Sequence, residues 1–222
     1  AASDFACELG INIPTGKDSL SMTQKYGKDL VYAPGTVIIT AVAVTADVTK
    51  TISPVLIPEP GTSLIYIDLS KDDYQLGGSS FAQTLNCLGT KTPTIKDTAY
   101  LKNVFSTIQK LIKEDLILAG HDISAGGMIT ALLEMCFASE KSGLNINLSD
   151  ITEKDIIKIL FAENPGILIQ VKFAKQVITA LTKAKIDYHI IGQPTDDKKL
   201  RIKKESISDE FDIHQLRDIW YK

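Results

Sequence analysis

The sequence predicts an α/β protein in which α and β segments are mixed along the chain and form a mixed sheet. Beyond residue 62, apolar strand-like runs alternate with segments whose apolar residues recur at helical spacing, which is typical of layered α/β domains. The chain before that point is instead rich in strand-forming residues. With 222 residues, 44% of them hydrophobic, the chain is long enough to bury a sizeable core.

We expect the N-terminal part to begin within a structural element. Residues 1–10 have the pattern of the last turns of a helix that ends at Gly10, a typical residue after a helix C-terminus. Strand character follows at 30–32 and 37–45, where apolar and β-branched residues cluster. We therefore expect a β-rich but partial domain here.

A break in regular structure separates this part from the rest. The break contains residues that end helices and strands, namely Pro54, Pro58, Pro60 and Gly61. We place the domain boundary at this cluster, with the partial domain at 1–52 and an α/β domain at 53–222.

The α/β domain alternates strands and helices. Its predicted strands cover 63–69, 116–119, 166–171, 188–192 and 199–203, the last of them at a sheet edge. Its predicted helices cover 80–88, 99–113, 127–139, 156–161, 174–185 and 213–221. Asp97 or Thr98 can cap the second of these helices, and Thr152, with Asp155 three residues later, has the pattern of a start for the fourth.

Composition and charge exclude several classes of protein. A net charge of −3 with scattered basic residues argues against a nucleic-acid partner, and we interpret the basic cluster at 198–204 as a solvated face. Three dispersed cysteines fit reduced thiols, and three dispersed histidines lack the spacing of a zinc site. The sequence shows neither an export signal nor a long apolar run, so we expect a cytoplasmic location and no membrane partner.

The segment 120–128 carries the most informative motif. The strand at 116–119 is expected to end in a short polar turn, after which a helix starts at Gly127. The first turn of a helix offers unpaired N–H groups to an anion, so this turn suits a phosphate. Ser124 can cap the helix, Gly126 and Gly127 allow close approach of a ligand, and Asp122 can hold Mg²⁺. An ordinary strand-to-helix connection with a serine cap explains the same residues.

A second polar segment, 13–22, resembles a Walker A loop without matching it. Position 11 is Ile where the first glycine is required, and Asp18 follows Lys17 where Ser or Thr is required. What remains is a turn in which Lys17, Asp18 and Ser19 could contact a phosphate or carboxylate of a substrate. A solvated polar loop is the alternative.

Two weaker signals lie elsewhere in the α/β domain. Residues 76–80 precede a helix and could bind an anion, although a turn capped by Ser79 or Ser80 explains them as well. Glu163 precedes a Pro-Gly turn, and it could reach a metal or a substrate amine. No Ser-His-Asp or Cys-His arrangement is indicated.

Taken together, the motifs resemble the phosphoribosylformylglycinamidine synthase family, in its large glutamine-dependent form. The matching stretches are 7–22, 76–79, 121–127 with the helix through 134–138, and 216–220. The resemblance implies the end of a second ATP-binding N-terminal domain followed by a C-terminal domain like that of aminoimidazole ribonucleotide synthetase, and a last stretch that leads to a glutaminase domain. It implies a ligase that converts formylglycinamide ribonucleotide, ATP and glutamine to the amidine, together with the remaining synthetase and glutaminase domains.

The resemblance also implies roles for particular residues. Asp122 matches a Mg²⁺ ligand, and Ser124 matches a nucleotide contact, of a second, structural nucleotide site that retains ADP. Gly126 and Gly127 are candidate nucleotide-binding residues in the same turn. Ala125 stands where bacterial relatives often have Asp. The resemblance leaves open whether the 17–19 loop touches substrate, nucleotide or a domain interface. The chain alone is expected to be inactive. The alternatives are a non-catalytic module that completes a pseudo-dimer, and another ATP-dependent enzyme of the same superfamily.

Overall fold

The computed structural model describes residues 2–17, 22–32 and 35–222, and the chain divides into two compact units, 1–48 and 49–222. In the first unit, helix α1 (Ala2–Leu9) ends at Gly10, whose φ of +75° suits a glycine. This confirms the predicted helix end. Strands β1 (Thr23–Tyr26) and β2 (Asp29–Tyr32) form an antiparallel pair.

The strand predicted at 37–45 is wrong. Residues 35–45 form neither helix nor strand, and their apolar side chains are exposed, up to 99% for Val44. An apolar, β-branched run favours a strand, but a strand also needs a neighbour to accept and donate its backbone hydrogen bonds. The polar strand β1, by contrast, was not predicted, because its residues lack apolar alternation.

The second unit, every residue of which the structure describes, contains a seven-stranded mixed sheet with the order β4-β6-β3-β7-β5-β8-β9. All neighbours are antiparallel except β5 and β8. The mixed α/β class is therefore confirmed. The strands are β3 (Ser63–Asp68), β4 (Ile117–Ile123), β5 (Gly143–Asn147), β6 (Gly166–Val171), β7 (His189–Thr195), β8 (Lys199–Lys204) and β9 (Ile207–Asp212).

Three details of the sheet differ from the sequence prediction. Strand β8 lies inside the sheet, between β5 and β9, so its predicted edge position is wrong. The sequence does not predict strands β5 and β9, because β5 is only five residues long and contains Gly and Asn, and β9 has three polar residues in succession, Ser208, Asp209 and Glu210. The basic cluster is only partly solvated: Lys198 and Lys204 are buried, and their Nζ atoms donate to Cys136 O and Ile151 O at 2.8 and 2.9 Å.

Helices cover both faces of the sheet because successive side chains of a strand point to opposite sides. On β3, Leu64 and Tyr66 join a core that includes residues of α4, whereas Ile65 and Ile67 join a core with α3 and α6. The helices are α2 (Ser80–Thr84), α3 (Thr98–Lys113), α4 (Gly127–Phe137), α5 (Ile156–Phe161), α6 (Ala174–Lys183) and α7 (Ile213–Trp220). Among the described helices, none has the length and apolar character that a membrane span requires.

The helix starts test the predicted caps. Asp97 caps α3 by accepting from Tyr100 N at 2.8 Å, and Ser79 caps α2 by accepting from Ala82 N at 3.2 Å, so both predicted caps are confirmed. Helix α5 is capped by Asp155, which accepts from Ile157 N at 2.9 Å, and the predicted start at Thr152 is wrong. A carboxylate directly before the helix reaches the first free N–H groups more easily than a residue three positions earlier.

The two edges of the sheet are β4 and β9. At the β4 edge, Gly120 N donates to Ser53 O at 3.1 Å, so residues next to the proline cluster pair with the strand. Ile52 packs against the α3/α6 core beside this contact. The stretch 49–54 is therefore built into the second unit.

Candidate functional site

Strand β4 continues further than the sequence predicts. It pairs with β6 as far as Ile123, opposite Gly166, so the polar turn starts only at Ser124. The predicted strand end at Ala119 is wrong, because the ladder with β6 holds the following residues extended in spite of their polar side chains. Strand alternation places His121 and Asp122 on opposite faces of the sheet, but at this edge their side chains still meet, with His121 Nδ1 3.6 Å from Asp122 Oδ1.

Asp122 lies on the face that carries α3. Its side chain is 76% exposed and it lines a cavity of about 470 Å³. The rest of the cavity wall is mostly apolar and comes from the 52–54 stretch, α3 and the sheet, including Ile52, Pro54, Leu101, Phe105 and Ile108. Among the described residues, no group of three or more His, Cys, Asp and Glu side chains could hold a metal. Asp122 can therefore supply one ligand of a shared site and not a whole shell.

His121 turns toward α4. Its Nε2 lies 3.2 Å from Glu134 Oε2, and its Nδ1 lies 2.7 Å from Asp122 O. The imidazole is 17% exposed. The side chain thus links the edge strand to the helix that follows the polar turn.

The turn at 124–127 is organised by glycine and not by serine. Gly126 occupies the position before α4 with φ +88°, and no side chain caps the helix there. Ser124 is exposed and contributes only its backbone O, which accepts from Gly127 N at 3.1 Å. The predicted serine cap is therefore wrong, because a left-handed Gly126 leads the chain into α4 in its place.

Packing explains why the turn has glycine at both positions. A Cβ on Gly127 would lie 2.6 Å from Leu160 O, and a Cβ on Gly126 would lie 2.2 Å from Thr130 Oγ1. The space beside these residues is therefore filled by α5 and by the first turn of α4. Their predicted role in nucleotide contact stays a prediction.

Glu163 brings two predicted anion loops together. Its Oε1 accepts from Gly126 N at 2.8 Å and from Ser80 N at 2.7 Å, so one carboxylate oxygen meets the backbone before α4 and at the start of α2. We call residues 77–80, residues 124–127 and Glu163 the glycine-loop junction. Phe81 stacks on Phe161 beside it, with ring centroids 4.5 Å apart. The sequence signals each part separately, but nothing in it predicts that they meet.

Asn164 anchors the loop that follows β3. It is 2% exposed, its Nδ2 donates to Ser70 Oγ and Asp73 O at 3.1 Å, and its Oδ1 accepts from Gln75 N at 3.4 Å. In the sequence, Asn164 stands between Glu163 and a Pro-Gly pair, and nothing there predicts an anchoring role. A buried asparagine can satisfy several backbone groups at once, and only the tertiary structure reveals which ones.

The same loop holds a carboxylate with a shifted pKa. Burial of Asp72 opposes ionisation, but hydrogen bonds from Thr94 Oγ1 at 2.8 Å and Thr94 N at 3.0 Å outweigh it and lower the pKa of Asp72. Asp72 is therefore held as an anion that fixes residue 94 against the loop.

The second predicted segment is only partly described. Lys17 lies in the first unit and is exposed. Asp18 and Ser19 lie outside the described residues, so their predicted contacts with a phosphate or substrate stay predictions.

The chain matches known families over both of its units. Residues 59–205 match the family model described as AIR synthase related protein, C-terminal domain, and residues 1–44 match the FGAR-AT PurM_N-like domain. A probable phosphoribosylformylglycinamidine synthase of Arabidopsis thaliana is 38% identical over 99% of this chain and 16% of its own length. The Homo sapiens phosphoribosylformylglycinamidine synthase is 41% identical over 78% of this chain and 13% of its own length.

Solved structures show the same fold. Thermotoga maritima PurL complexed with FGAR aligns with 97% of this chain and 36% of its own length, with a TM-score of 0.64 and 13% identity. PurL complexed with ATP aligns with 77% of this chain and 28% of its own length, with a TM-score of 0.59 and 13% identity. The chain thus spans a small part of every one of these relatives.

Proposed function

The chain belongs to the family of AIR synthase related proteins, whose C-terminal domain it contains, and we propose that it forms part of a phosphoribosylformylglycinamidine synthase. The observation that carries this proposal is the 38% identity to the Arabidopsis relative, because that similarity runs through both units of the chain. The chain spans 16% of that relative and 13% of the human one. We therefore propose that the activity requires the further domains found in these relatives, and we expect the chain alone to be inactive.

The reaction that we propose joins ammonia from glutamine to formylglycinamide ribonucleotide at the expense of ATP. An amide oxygen is a poor leaving group until it is phosphorylated, and ammonia then displaces the phosphate to give the amidine. Support comes from PurL structures that hold ATP, ADP or FGAR. The remaining synthetase and glutaminase domains supply the residues that this chain lacks.

Within this chain, Asp122 is the proposed Mg²⁺ ligand and the 124–127 turn is the proposed nucleotide contact. The residues fit the ion in part: an exposed carboxylate oxygen suits Mg²⁺, which commonly takes one or two carboxylates together with phosphate oxygens. When bound, the ion neutralises phosphate charge. Ser124, two residues after Asp122, offers an exposed hydroxyl, and Lys17, Asp18 and Ser19 remain proposed contacts of a phosphate or substrate.

Calorimetric titration of the complete protein with Mg·ADP tests the site. We expect Asp122→Asn to weaken ADP binding by at least about tenfold, because a metal ligand is lost. Asp150→Asn, which removes an exposed carboxylate of the same unit, is the matched control and should bind as the unaltered protein does. Tight Mg·ADP binding by residues 1–222 alone would contradict the proposal that other domains complete the site.

A non-catalytic module that completes a pseudo-dimer is the second candidate function. It is favoured by the apolar lining of the cavity beside Asp122 and by the presence of a single carboxylate there. For such a module, Asp122→Asn would leave ADP retention and thermal stability unchanged.

The domain limits and the cellular location complete the proposal. We assign residues 1–52 to the end of an ATP-binding N-terminal-type domain and residues 53–222 to the C-terminal α/β domain, whereas the compact units of the structure divide four residues earlier, between Val48 and Thr49. This assignment is supported by the two family matches, at 1–44 and 59–205. The cytoplasmic location stays a proposal, since the Arabidopsis relative is named as chloroplastic/mitochondrial.

A further inference from the structure

We propose that Glu163 is a positioning residue that ties the two glycine loops together and holds the 124–127 turn in the conformation that receives a nucleotide. This inference rests on the proposed function only for its ligand. The tie itself rests on the contacts of the carboxylate.

The first observation is that one oxygen serves both loops. Glu163 Oε1 accepts from Ser80 N at 2.7 Å and from Gly126 N at 2.8 Å. Both donors are backbone groups at the start of a helix, where N–H groups lack partners within the helix and the field favours an anion. Hydrogen bonds to a charged acceptor are also shorter and stronger than neutral ones.

The second observation is that apolar packing braces the same three segments. Phe161 stacks on Phe81 of α2, and the backbone of Leu160 and Phe161 fills the space that a side chain on Gly127 would need. The end of α5 therefore touches α2 on one side and the 124–127 turn on the other. Glu163 adds the polar contact to both of these neighbours.

The consequence concerns which groups the turn can offer to a ligand. Gly126 N–H already donates to Glu163, so this donor stabilises the protein and is not offered to a phosphate. Ser124 and Asp122 remain exposed on the same connection. Glu163 thus acts on ligand binding through the turn, by fixing the backbone from which Ser124 projects, directly after the strand that carries Asp122.

The test compares three variants of the complete polypeptide that contains this chain. Glu163→Ala removes the acceptor, and Glu163→Gln keeps an acceptor oxygen but removes the charge. Glu153→Gln is the matched control, because Glu153 Oε1 also accepts two backbone N–H groups, from Lys154 at 2.7 Å and Asp155 at 3.0 Å, away from the junction. Hydrogen exchange and Mg·ADP titration are measured for each variant.

For Glu163→Ala we expect exchange to quicken by at least about tenfold at both Ser80 and Gly126, with a loss of about tenfold in Mg·ADP affinity. Glu163→Gln should recover part of both effects, and Glu153→Gln should change neither. If Glu163 is only a structural contact, Glu163→Ala should speed exchange in the loops and leave the affinity for Mg·ADP unchanged.

Two results would overturn the inference. One is faster exchange in a single loop only, since a tie must release both. The other is unchanged affinity when both loops have loosened. If the unaltered protein does not bind Mg·ADP, the proposed function fails, whereas the exchange data still decide whether Glu163 couples the loops. Glu163→Gln supplies that decision if Glu163→Ala does not fold.

Discussion

The glycine-loop junction and the charged surface of β8 and β9 are both polar, but they differ in how well water can replace a lost partner of their polar groups. On β8 and β9, Arg201 pairs with Asp197 and Glu210 at 2.6 and 2.7 Å, and Lys199 pairs with Asp212 at 3.1 Å. These side chains are 34% to 50% exposed. At the junction, two hydrogen bonds join the partly buried side chain of Glu163 to backbone N–H groups.

The difference teaches that the number of ion pairs is a poor measure of stabilisation. An exposed charge that loses its partner regains water, so the pair contributes little. A buried donor or acceptor that loses its partner has no such substitute, and the protein bears the full cost of its desolvation. We therefore expect the largest mutational effects at and beside the junction.

The largest effect should follow Gly127→Ala, which tests the packing at the junction. Gly127 has φ +76°, and a Cβ there would lie 2.6 Å from Leu160 O. The left-handed conformation costs a non-glycine residue about 1–2 kcal/mol, and overpacking adds about 1–3 kcal/mol. We expect the free energy of unfolding in urea to fall by about 3 kcal/mol. Gly61→Ala is the control, because Gly61 has φ +82° and no atom within 4 Å of the added Cβ, so it should cost only the conformational part.

The next effect should follow Asn164→Ala, which removes the anchor of the loop after β3. Ser70, Asp73 and Gln75 would each lose a hydrogen-bond partner in a site where Asn164 is 2% exposed. We expect a loss of about 2–3 kcal/mol in urea unfolding. Asn145→Ala should change stability by less than about 0.5 kcal/mol, because Asn145 is exposed and contacts Arg201 at 3.4 Å. Equal losses for the two variants would contradict the contrast.

A smaller effect is expected on the charged surface of β8 and β9. In a double-mutant cycle of Arg201→Ala and Glu210→Ala, the coupling should lie near the error of the measurement, since both side chains are well exposed. The coupling should shrink further in about 1 M salt, where exposed charges are screened. A strong coupling that resists salt would show that these ion pairs stabilise the protein as much as the contacts at the junction.

The smallest effect concerns the pH dependence of the Asp72 contact beside the junction. The pKa of Asp72 is lowered in the folded protein from its ordinary value of 3.8, chiefly by hydrogen bonds from Thr94 that overcome the opposing effect of burial. A lowered folded pKa gives a contribution that is present above pH 3.8 and is lost as the pH falls through the folded value. The stability difference between the protein and Asp72→Asn should therefore shrink below about pH 4. A stability difference that grows as the pH falls would contradict the lowered pKa of Asp72.

The sequence predicts the helices of the second unit well and its sheet less completely. The sequence predicts helix α3 clearly, because six apolar residues recur at helical spacing after a capping aspartate. Strand β5 carries only a weak signal, because Gly143–Asn147 has five residues and contains one glycine and two asparagines, which are uncommon in strands. The exposed run at 37–45 shows the converse, since its composition suits a strand but no strand pairing is formed there.

The sequence predicts the separate motifs of the site, but it does not predict that they come together. Asp122, Ser124 and the glycines stand out as a motif, and so do residues 76–80 and Glu163. Their meeting depends on the return of the chain from α5 to β6, which brings Glu163 to residues that are distant in sequence. Hydrogen bonds over such distances leave no local pattern, so neither the tie at Glu163 nor the anchor at Asn164 could be inferred from spacing.

The pairing of Gly120 with Ser53 has a consequence for the behaviour of the second unit in solution. An open sheet edge is a template for another chain, and proteins protect such edges with charge or cover. Edge β9 carries Asp209, Glu210 and Asp212, which repel a like strand. Edge β4 is instead covered by residues 52–54. A shortened chain that begins at 49 keeps this cover, whereas one that begins at 55 exposes β4 to self-association.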